Sequence, residues 1–512
     1  MPSKLYTISA NISNWPGLTS NPAFAANPLV QTVRQVLAEY QVEGMLVGGA
    51  VRDMLLGQPV HDWDFAIRRK AIRVARETAN RLQAAYYTLD AERETGRVVI
   101  RKEDGSRTVM DFALCRGDNW MTDLETRDFT INAMAFPLTP PGPLFDPLGG
   151  QADLAARLVR ATSPLAFQND PVRVLRCVRM AASLGFDIEA NTAAWARQAA
   201  PLLDKVSAER VRDELVRSLA TQAASLRQLD ELGALERVLP ELGPMKDTAQ
   251  SRPHHWNVFE HSMMLLEILE QLLSALDGPD HPNDLPVPPH VWEDVCRSLG
   301  PYRAELTEHL AVTLSDERTV LDALKLAALL HDCGKPATLV VEESGRTRFF
   351  DHNQVGAGMA SARARALRLA NVEVERVRTI IANHMRPQHL ADSGLTARGM
   401  YRYFRDTGAA GVDVILLALA DHLATYGPDL QPDKWASRLD TASALAGEYF
   451  GRMRAELAAP PLVNGKELIK ILRLRPGPQI GKLLEAIREA QGAGEIHTRA
   501  EALELARKLG RD

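Results

Sequence analysis

The spacing of apolar residues changes along the chain and predicts its elements. Residues 42 to 47 form a short run apolar enough for a buried strand, Gly48-Gly49 reads as a turn, and Ala50 to Leu56 suits a short helix. Asp62 to Ile67 alternates strictly, so Trp63, Phe65 and Ile67 share one strand face while Asp62, Asp64 and Ala66 share the other. Thr108 to Leu114 repeats the pattern, with Met110, Phe112 and Leu114 toward a core and Asp111 away from it. A helix is expected from Leu29 to Tyr40, and strands with an intervening helix continue to Phe136. This first part therefore reads as α+β, a mixed sheet with helices. From residue 151 onward the spacing is helical, and the rest of the chain is expected to be all-α.

Strand periodicity places Asp62 and Asp64 side by side, roughly 7 Å apart. Two carboxylates so placed repel unless a cation lies between them, and hard oxygen ligands suit Mg²⁺. The turn at Gly48-Gly49 opens onto a helix N-terminus, whose free N–H groups make a seat for phosphate. With Asp111 from a neighbouring strand, the three carboxylates can converge as the ligands of a two-metal site. Such a site activates a hydroxyl and stabilises the leaving oxygen of a displacement at phosphorus. A lone D-x-D is more often a solvated strand face; the glycine turn and Asp111 reverse that weighting.

With 512 residues the chain has room for about three or four domains, and 46% hydrophobic content can fill their cores. Four cysteines, Cys115, Cys177, Cys296 and Cys333, lack the spacing of a disulfide framework or a cysteine zinc site. No signal-peptide pattern is seen and no apolar run approaches a membrane span, so a cytoplasmic protein with no membrane partner is expected. A formal net charge of −5 gives no global attraction to nucleic acid. Local arginine groups at 173, 176 and 179, at 363, 365 and 368, and at 398, 402 and 405 are the candidates, each also readable as a solvated helix face.

The ordered motifs LVGGAVRD, DWDF, TRDFTINAMAF, DPLGGQADL and NDPVRVLRCVRMAASLGF, spread over residues 46 to 186, resemble the tRNA nucleotidyltransferase and bacterial poly(A) polymerase family. The resemblance implies catalysis by Asp62, Asp64 and Asp111 with Mg²⁺. It also implies nucleotide binding by Gly48, Gly49, Arg52, Asp53, Arg127, Asp128, Asn132, Asp170, Arg173, Arg176 and Arg179, and the partners tRNA, CTP and ATP. Asp170 and Arg173, one turn apart at a helix start, can together recognise the amine edge and adjacent ring nitrogen of C or A. Read without the upstream motifs they are a capping aspartate and a surface ion pair.

The chain departs from its family in three places. Asn169 stands where a glutamate is usual, Thr126 where the first arginine of Arg-Arg-Asp is usual, and only GDNWMTDLE connects the Asp111 strand to Arg127. In the family, a shortened connection goes with addition of CC and not the final A. Full CCA addition and poly(A) synthesis remain the alternatives.

His331-Asp332 followed by Gly334-Lys335 forms the HDCGK signature, which resembles the HD metal phosphohydrolase superfamily. That resemblance implies His261, His331, Asp332 and Asp421 as the minimal ligand set for a divalent transition metal, with His352 and His384 completing a two-metal version. His254, His255 and His422 read as bystanders, and Lys335 as a phosphate contact or a surface lysine. The expected layout is an irregular lead-in at 1–28, a catalytic head at 29–150, a helical neck at 151–240, the HD domain at 241–430 with a proline-rich insertion at 279–289, and a helical tail at 431–512. The competing reading from another class is an HD phosphohydrolase whose front half only binds RNA or nucleotide; the intact aspartates weigh against it.

Overall fold

The computed structural model describes residues 27–101, 106–278, 285–453, 455, 457 and 460–510. Most of the lead-in at 1–28 and the proline-rich stretch at 279–284 lie outside the described residues. The chain divides into two compact units. One runs up to Val206 and includes Glu231–Arg237; the other comprises Ser207–Asp230 and the chain from Val238 onward. The neck expected at 151–240 is thus shared between the two units.

The first unit opens with a helix, Pro28–Glu39, which starts where it does because Asn27 Oδ1 accepts from Leu29 N at 2.9 Å and Pro28 needs no N–H partner. The sheet is built from β1 (Gly44–Val47), β2 (Asp62–Ile67), β3 (Ala85–Asp90), β4 (Thr95–Arg101), β5 (Arg107–Leu114) and β6 (Ala135–Thr139). Their order is β3-β4-β5-β2-β1-β6. Only β2 and β5 run parallel; the other neighbours are antiparallel, so the sheet is mixed as expected. The crossover between β2 and β5 contains the helix Ala71–Arg81, which packs on β4 and β5.

Strand alternation is realised at the core: Trp63, Phe65 and Ile67 are buried from β2, and Met110 and Phe112 from β5. Phe65 and Phe112 lie opposite each other in register and stack, centroids 4.8 Å apart and planes at 16°. Leu114, expected to face the core, is instead exposed, at the last residue of β5. After β6 the unit becomes helical, with Arg173–Leu184 its longest helix there, buried along Val174, Leu175, Cys177, Val178 and Ala181. The expectation of an all-α neck is modified by one parallel pair, Leu158–Val159 with Asp187–Ile188.

The second unit is mostly helical around Val258–Ala275, Val320–Leu330, Asn371–Asn383 and Ala410–Tyr426, which pack on one another. Two hairpins interrupt the helices, Thr313–Ser315 with Arg318–Thr319 and Leu339–Val341 with Thr347–Phe349. Contrary to the sequence expectation, the segment Ala410–Asp429 has the length and apolarity of a membrane span. Its helix is the buried centre of this unit, and Asp413 inside it is fully enclosed with His309 Nε2 at 2.7 Å and Arg376 Nε at 2.6 Å. The tail forms three helices, Gly465–Leu472, Pro478–Gly492 and Arg499–Leu509, around Leu468, Ile487 and Ala502. Arg398 and Arg405 on the helix Ala397–Thr407 reach the tail carboxylates Glu495 and Glu485, so these arginines brace the tail.

The Phe65–Phe112 stack locks β2 to β5. Phe112→Ala is expected to lower stability by about 3–5 kcal/mol through the cavity it leaves, whereas Phe112→Leu costs about 1–2. Urea unfolding followed by tryptophan fluorescence checks both, and equal midpoints for the two variants would remove the stack as the lock.

Candidate active sites

The first site lies where β1 and β2 meet the glycine turn. Parallel pairing sets Asp64 directly opposite Asp111, with Asp62 two residues earlier on the same face of β2. Gly48, at φ +76°, turns the chain out of β1 so tightly that a Cβ there would lie 3.0 Å from Asp64 Oδ2 and 3.3 Å from Arg127 Nη1. Glycine is required by both the backbone angle and this close approach. Burial lifts the Asp64 carboxyl to about 6; Asp111 and Asp62 push the same way, and Arg127 and Arg176 oppose them. Asp64, with Asp62 and Asp111 beside it, forms an oxygen-rich cradle that a divalent cation fits.

Beside this cradle five of the expected nucleotide-binding residues form one connected chain. Arg52 Nε donates to Asp53 Oδ1 at 2.8 Å, and Arg52 Nη1 donates to Asn132 Oδ1 at 2.8 Å. Asn132 Nδ2 in turn donates to Asp128 Oδ1 at 3.0 Å, and Arg176 Nη1 stands 3.3 Å from Asp128 Oδ2. Gly49 lies under the Arg52 guanidinium. Arg179 sits one turn beyond Arg176 on the helix Arg173–Leu184 and is half-buried.

Asp170 and Arg173, expected to reach one ligand together, lie near each other, and Arg173 has further partners. Asp170 ends the short helix Ala166–Asn169 in extended backbone, and Arg173 is buried. The Arg173 guanidinium donates to the carbonyls of Thr126 at 2.8 Å, Arg127 at 3.1 Å and Ala166 at 3.2 Å, and its Nε is 3.9 Å from Asp170 Oδ2. Two of its donors thus hold the backbone that carries Arg127, and a third holds the Ala166 carbonyl. The connection before Arg127 is itself ordered by a helical turn, Trp120–Glu125, capped by Asn119. Its buried Asp123 accepts Arg116 N at 2.8 Å and Arg127 Nη2 at 3.0 Å. Asp123 escaped the sequence reading because nothing in its local pattern marks it as buried.

The second site lies at the centre of the helical unit. His261, His331 and Asp421 bring ligand atoms within 4.8 Å of one another, and Asp332, His352 and His384 do the same. Asp332 faces both groups, with Oδ2 3.1 Å from His331 Nε2 and Oδ1 3.4 Å from His352 Nε2. His331, His352 and His384 each hydrogen-bond through Nδ1 to the carbonyl three residues earlier, at 2.8, 2.8 and 2.7 Å. A carbonyl only accepts, so Nδ1 carries the proton and Nε2 is left with its lone pair for a metal. His331 Nε2 is buried and has no hydrogen bond among the described residues. Burial holds His384 down to about 4 and also lowers His261, the neutral state a ligand needs.

Gly334 of the signature closes this site. A Cβ there would meet the carbonyl oxygen of His352 at 2.2 Å, so only glycine lets the His331-Asp332 turn lie against the backbone of His352. Lys335 Nζ is 2.6 Å from Asp332 Oδ2 and donates to Gln250 at 2.7 Å, and is therefore buried inside the site. His254, read from sequence as a bystander, stands edge-on to His261 at 5.3 Å, and burial lowers it to about 4. It precedes the helix Val258–Ala275, so no helical spacing could relate it to His261. His255 contacts the Tyr426 carbonyl and His422 packs on Tyr426 and Trp435, both outside the two ligand groups.

Three sequence families match: residues 45–160 a "Poly A polymerase head domain", 185–245 a "Probable RNA and SrmB- binding site of polymerase A", and 258–426 an "HD domain". The chain is 33% identical to an A-adding tRNA nucleotidyltransferase of Deinococcus radiodurans over 92% of its own length and 96% of the relative's. It is 32% identical to a CC-adding tRNA nucleotidyltransferase of Thermus thermophilus, covering 89% and 91%. In fold it is similar to a CCA-adding enzyme solved with ATP, at TM-score 0.61 and 20% identity over 96% of both chains.

Asp64, at about 6 against an ordinary 3.8, holds its proton more tightly in the folded chain than in the unfolded one, so its contribution to stability is present at acid pH and is lost as pH rises through 6. A divalent ion that needs the ionised carboxylate must then stabilise the protein only on the neutral side. Mg²⁺ is expected to raise the melting midpoint at about pH 7.5 and hardly at about pH 5, and Asp64→Asn to abolish that difference. An equal Mg²⁺ shift at both pH values would dismiss Asp64 as a ligand.

Proposed function

The chain belongs to the tRNA nucleotidyltransferase and poly(A) polymerase family, with an HD domain in the same polypeptide, and from that premise we propose that it adds C residues to the 3′ end of tRNA in the cytoplasm, without a nucleic-acid template. The observation that carries this reading is the in-register opposition of Asp64 and Asp111 beside the Gly48 turn. Asp62, Asp64 and Asp111 would hold Mg²⁺, which when bound supplies Lewis-acid activation of the terminal hydroxyl and of the α-phosphate of CTP or ATP. Gly48 and the Arg52 and Arg127 guanidiniums lie where a triphosphate would be gripped. The incoming 3′ hydroxyl displaces pyrophosphate at the α-phosphorus, and Arg127, held by Asp123, offsets charge that develops there.

Selection of the base is assigned to Asp170 and Arg173, with Asp170 accepting from the amine of C or A. Arg173 acts chiefly by fixing the strap from Thr126 to Arg127, since its guanidinium is committed to those carbonyls. Addition stops after CC on this reading. Templating a final A needs the pocket to reshape, and the connection from Asp111 to Arg127 is a short capped helical turn pinned through Asp123, with no long lever. A second reading, addition of A alone, is favoured by the similarity to the A-adding relative.

For the second site we assign metal-dependent hydrolysis of a phosphoester. His261, His331, Asp332, His352, His384 and Asp421 would hold two divalent transition-metal ions, which when bound supply a nucleophile near neutral pH. Lys335 places a positive charge beside Asp332 for a substrate phosphate.

tRNA ending before CCA should gain two C residues from CTP, and tRNA already ending in CC should gain nothing from ATP. Efficient A addition to the second substrate would replace the CC reading, with full CCA addition if the first substrate also gains C and with addition of A alone if it does not. Asp62→Ala or Asp64→Ala is expected to cut addition by at least about 10³-fold with tRNA binding preserved, measured by single-nucleotide gels and filter binding. Asp332→Asn should abolish hydrolysis of model phosphodiesters, including a 2′,3′-cyclic nucleotide, and leave nucleotide addition intact. Joint loss of both activities would make the second site a structural metal centre.

A further inference from the structure

The third carboxylate of the nucleotidyl-transfer site already has a partner. Antiparallel pairing of β4 with β5 sets Arg97 directly opposite Asp111, and the guanidinium grips both carboxylate oxygens, Nε to Oδ1 and Nη2 to Oδ2, each at 2.8 Å. Arg97, Asp111 and Asp64 therefore form one row across β4, β5 and β2. In that row a positive charge is followed by two negative ones. Like charges directly opposite on neighbouring strands destabilise a sheet, and the fork offsets this at the outer end. The guanidinium also feels Asp62 and Asp64, which with the Asp111 hydrogen bonds make it hold its proton more firmly than usual.

We propose, on the reading that Asp62, Asp64 and Asp111 hold the divalent ions, that Arg97 is a positioning residue which fixes the Asp111 carboxylate and lowers the affinity of the empty triad for metal. A bidentate pair uses one lone pair of each oxygen, and a carboxylate has about four acceptor sites, so Asp111 keeps lone pairs for a metal while Arg97 remains in place. The fork holds the carboxylate plane, and the positive guanidinium partly offsets the negative charge that attracts a metal cation. The empty triad then binds metal weakly, and the negative charge of the incoming triphosphate strengthens that binding. The Arg97 side chain is 41% exposed and Asp111 27%, so solvent weakens but does not remove the effect.

Two variants separate charge from geometry. Arg97→Gln removes the charge and keeps an amide donor; Arg97→Lys keeps the charge and loses the fork. The full-length protein without nucleotide or RNA is titrated with Mn²⁺, free Mn²⁺ being read by electron paramagnetic resonance, and Asp64→Asn defines the share of binding due to the head. Arg97→Gln is expected to bind that share several-fold more tightly, and Arg97→Lys to match the parent. Both should lose at least about tenfold in kcat for CTP incorporation with KM for CTP little changed. Unaltered Mn²⁺ affinity in Arg97→Gln overturns the charge role, and full kcat in Arg97→Lys overturns the positioning role. If Asp64→Asn itself leaves Mn²⁺ binding untouched, the ligand reading fails independently of Arg97. Circular dichroism equal to the parent and a cooperative melting transition above the assay temperature establish that each variant is folded.

Discussion

Everything in the first unit depends on keeping Asp64 and Asp111 opposite each other. Two unit charges ~5 Å apart repel by about 3 kcal/mol at an effective dielectric near 20, so the arrangement persists only because other interactions impose it. Parallel pairing of β2 with β5 imposes the register, and the buried Phe65–Phe112 stack one residue along secures it on the opposite face. Around the carboxylates the chain sets compensating charge: Arg97 on Asp111, Arg127 beside Gly48 and Asp64, and Arg176 on Asp128. The hydrophobic face supplies the stability and the polar face spends some of it on chemistry.

The helical unit meets a similar constraint by different means. Its candidate ligands are largely imidazoles, and burial favours the neutral form of two of them, His261 and His384, so the six groups are enclosed without six charges. The two carboxylates among them, Asp332 and Asp421, lie against histidines and, for Asp332, against Lys335. Orientation comes from the backbone. Three rings are each pinned by the carbonyl three residues earlier, a contact that a helix end or a helix start provides without any additional side chain.

Between the strand of Asp111 and Arg127 the chain is economical. Asn119 starts a helical turn, Asp123 folds inward to take both a backbone N–H and the Arg127 guanidinium, and Arg173 ties down the next carbonyls from the far side. Arg127 is consequently held from two directions. Such a strap favours one fixed pocket over a series of pockets, the property on which the proposed CC addition relies.

The sequence by itself determined what depends on local period and on backbone geometry. Alternation in DWDFAI and TVMDFAL set which residues face the core, the glycine pair fixed the turn after β1, and the HDCGK signature with its spaced histidines named a ligand set that the fold does bring together. Only the tertiary structure decided what depends on register and on distant packing. Arg97 meets Asp111 because two antiparallel strands happen to align there, His254 reaches His261 through irregular chain that carries no period, and Asp123 is buried by contacts that its neighbours in sequence do not reveal. Arg173 shows the same limit from the other side: its spacing from Asp170 suits a shared ligand, and the three carbonyls its guanidinium also holds are not legible from that spacing. Periodicity specifies the face on which a side chain leaves its element; which partner meets it there is settled by elements far away in the chain.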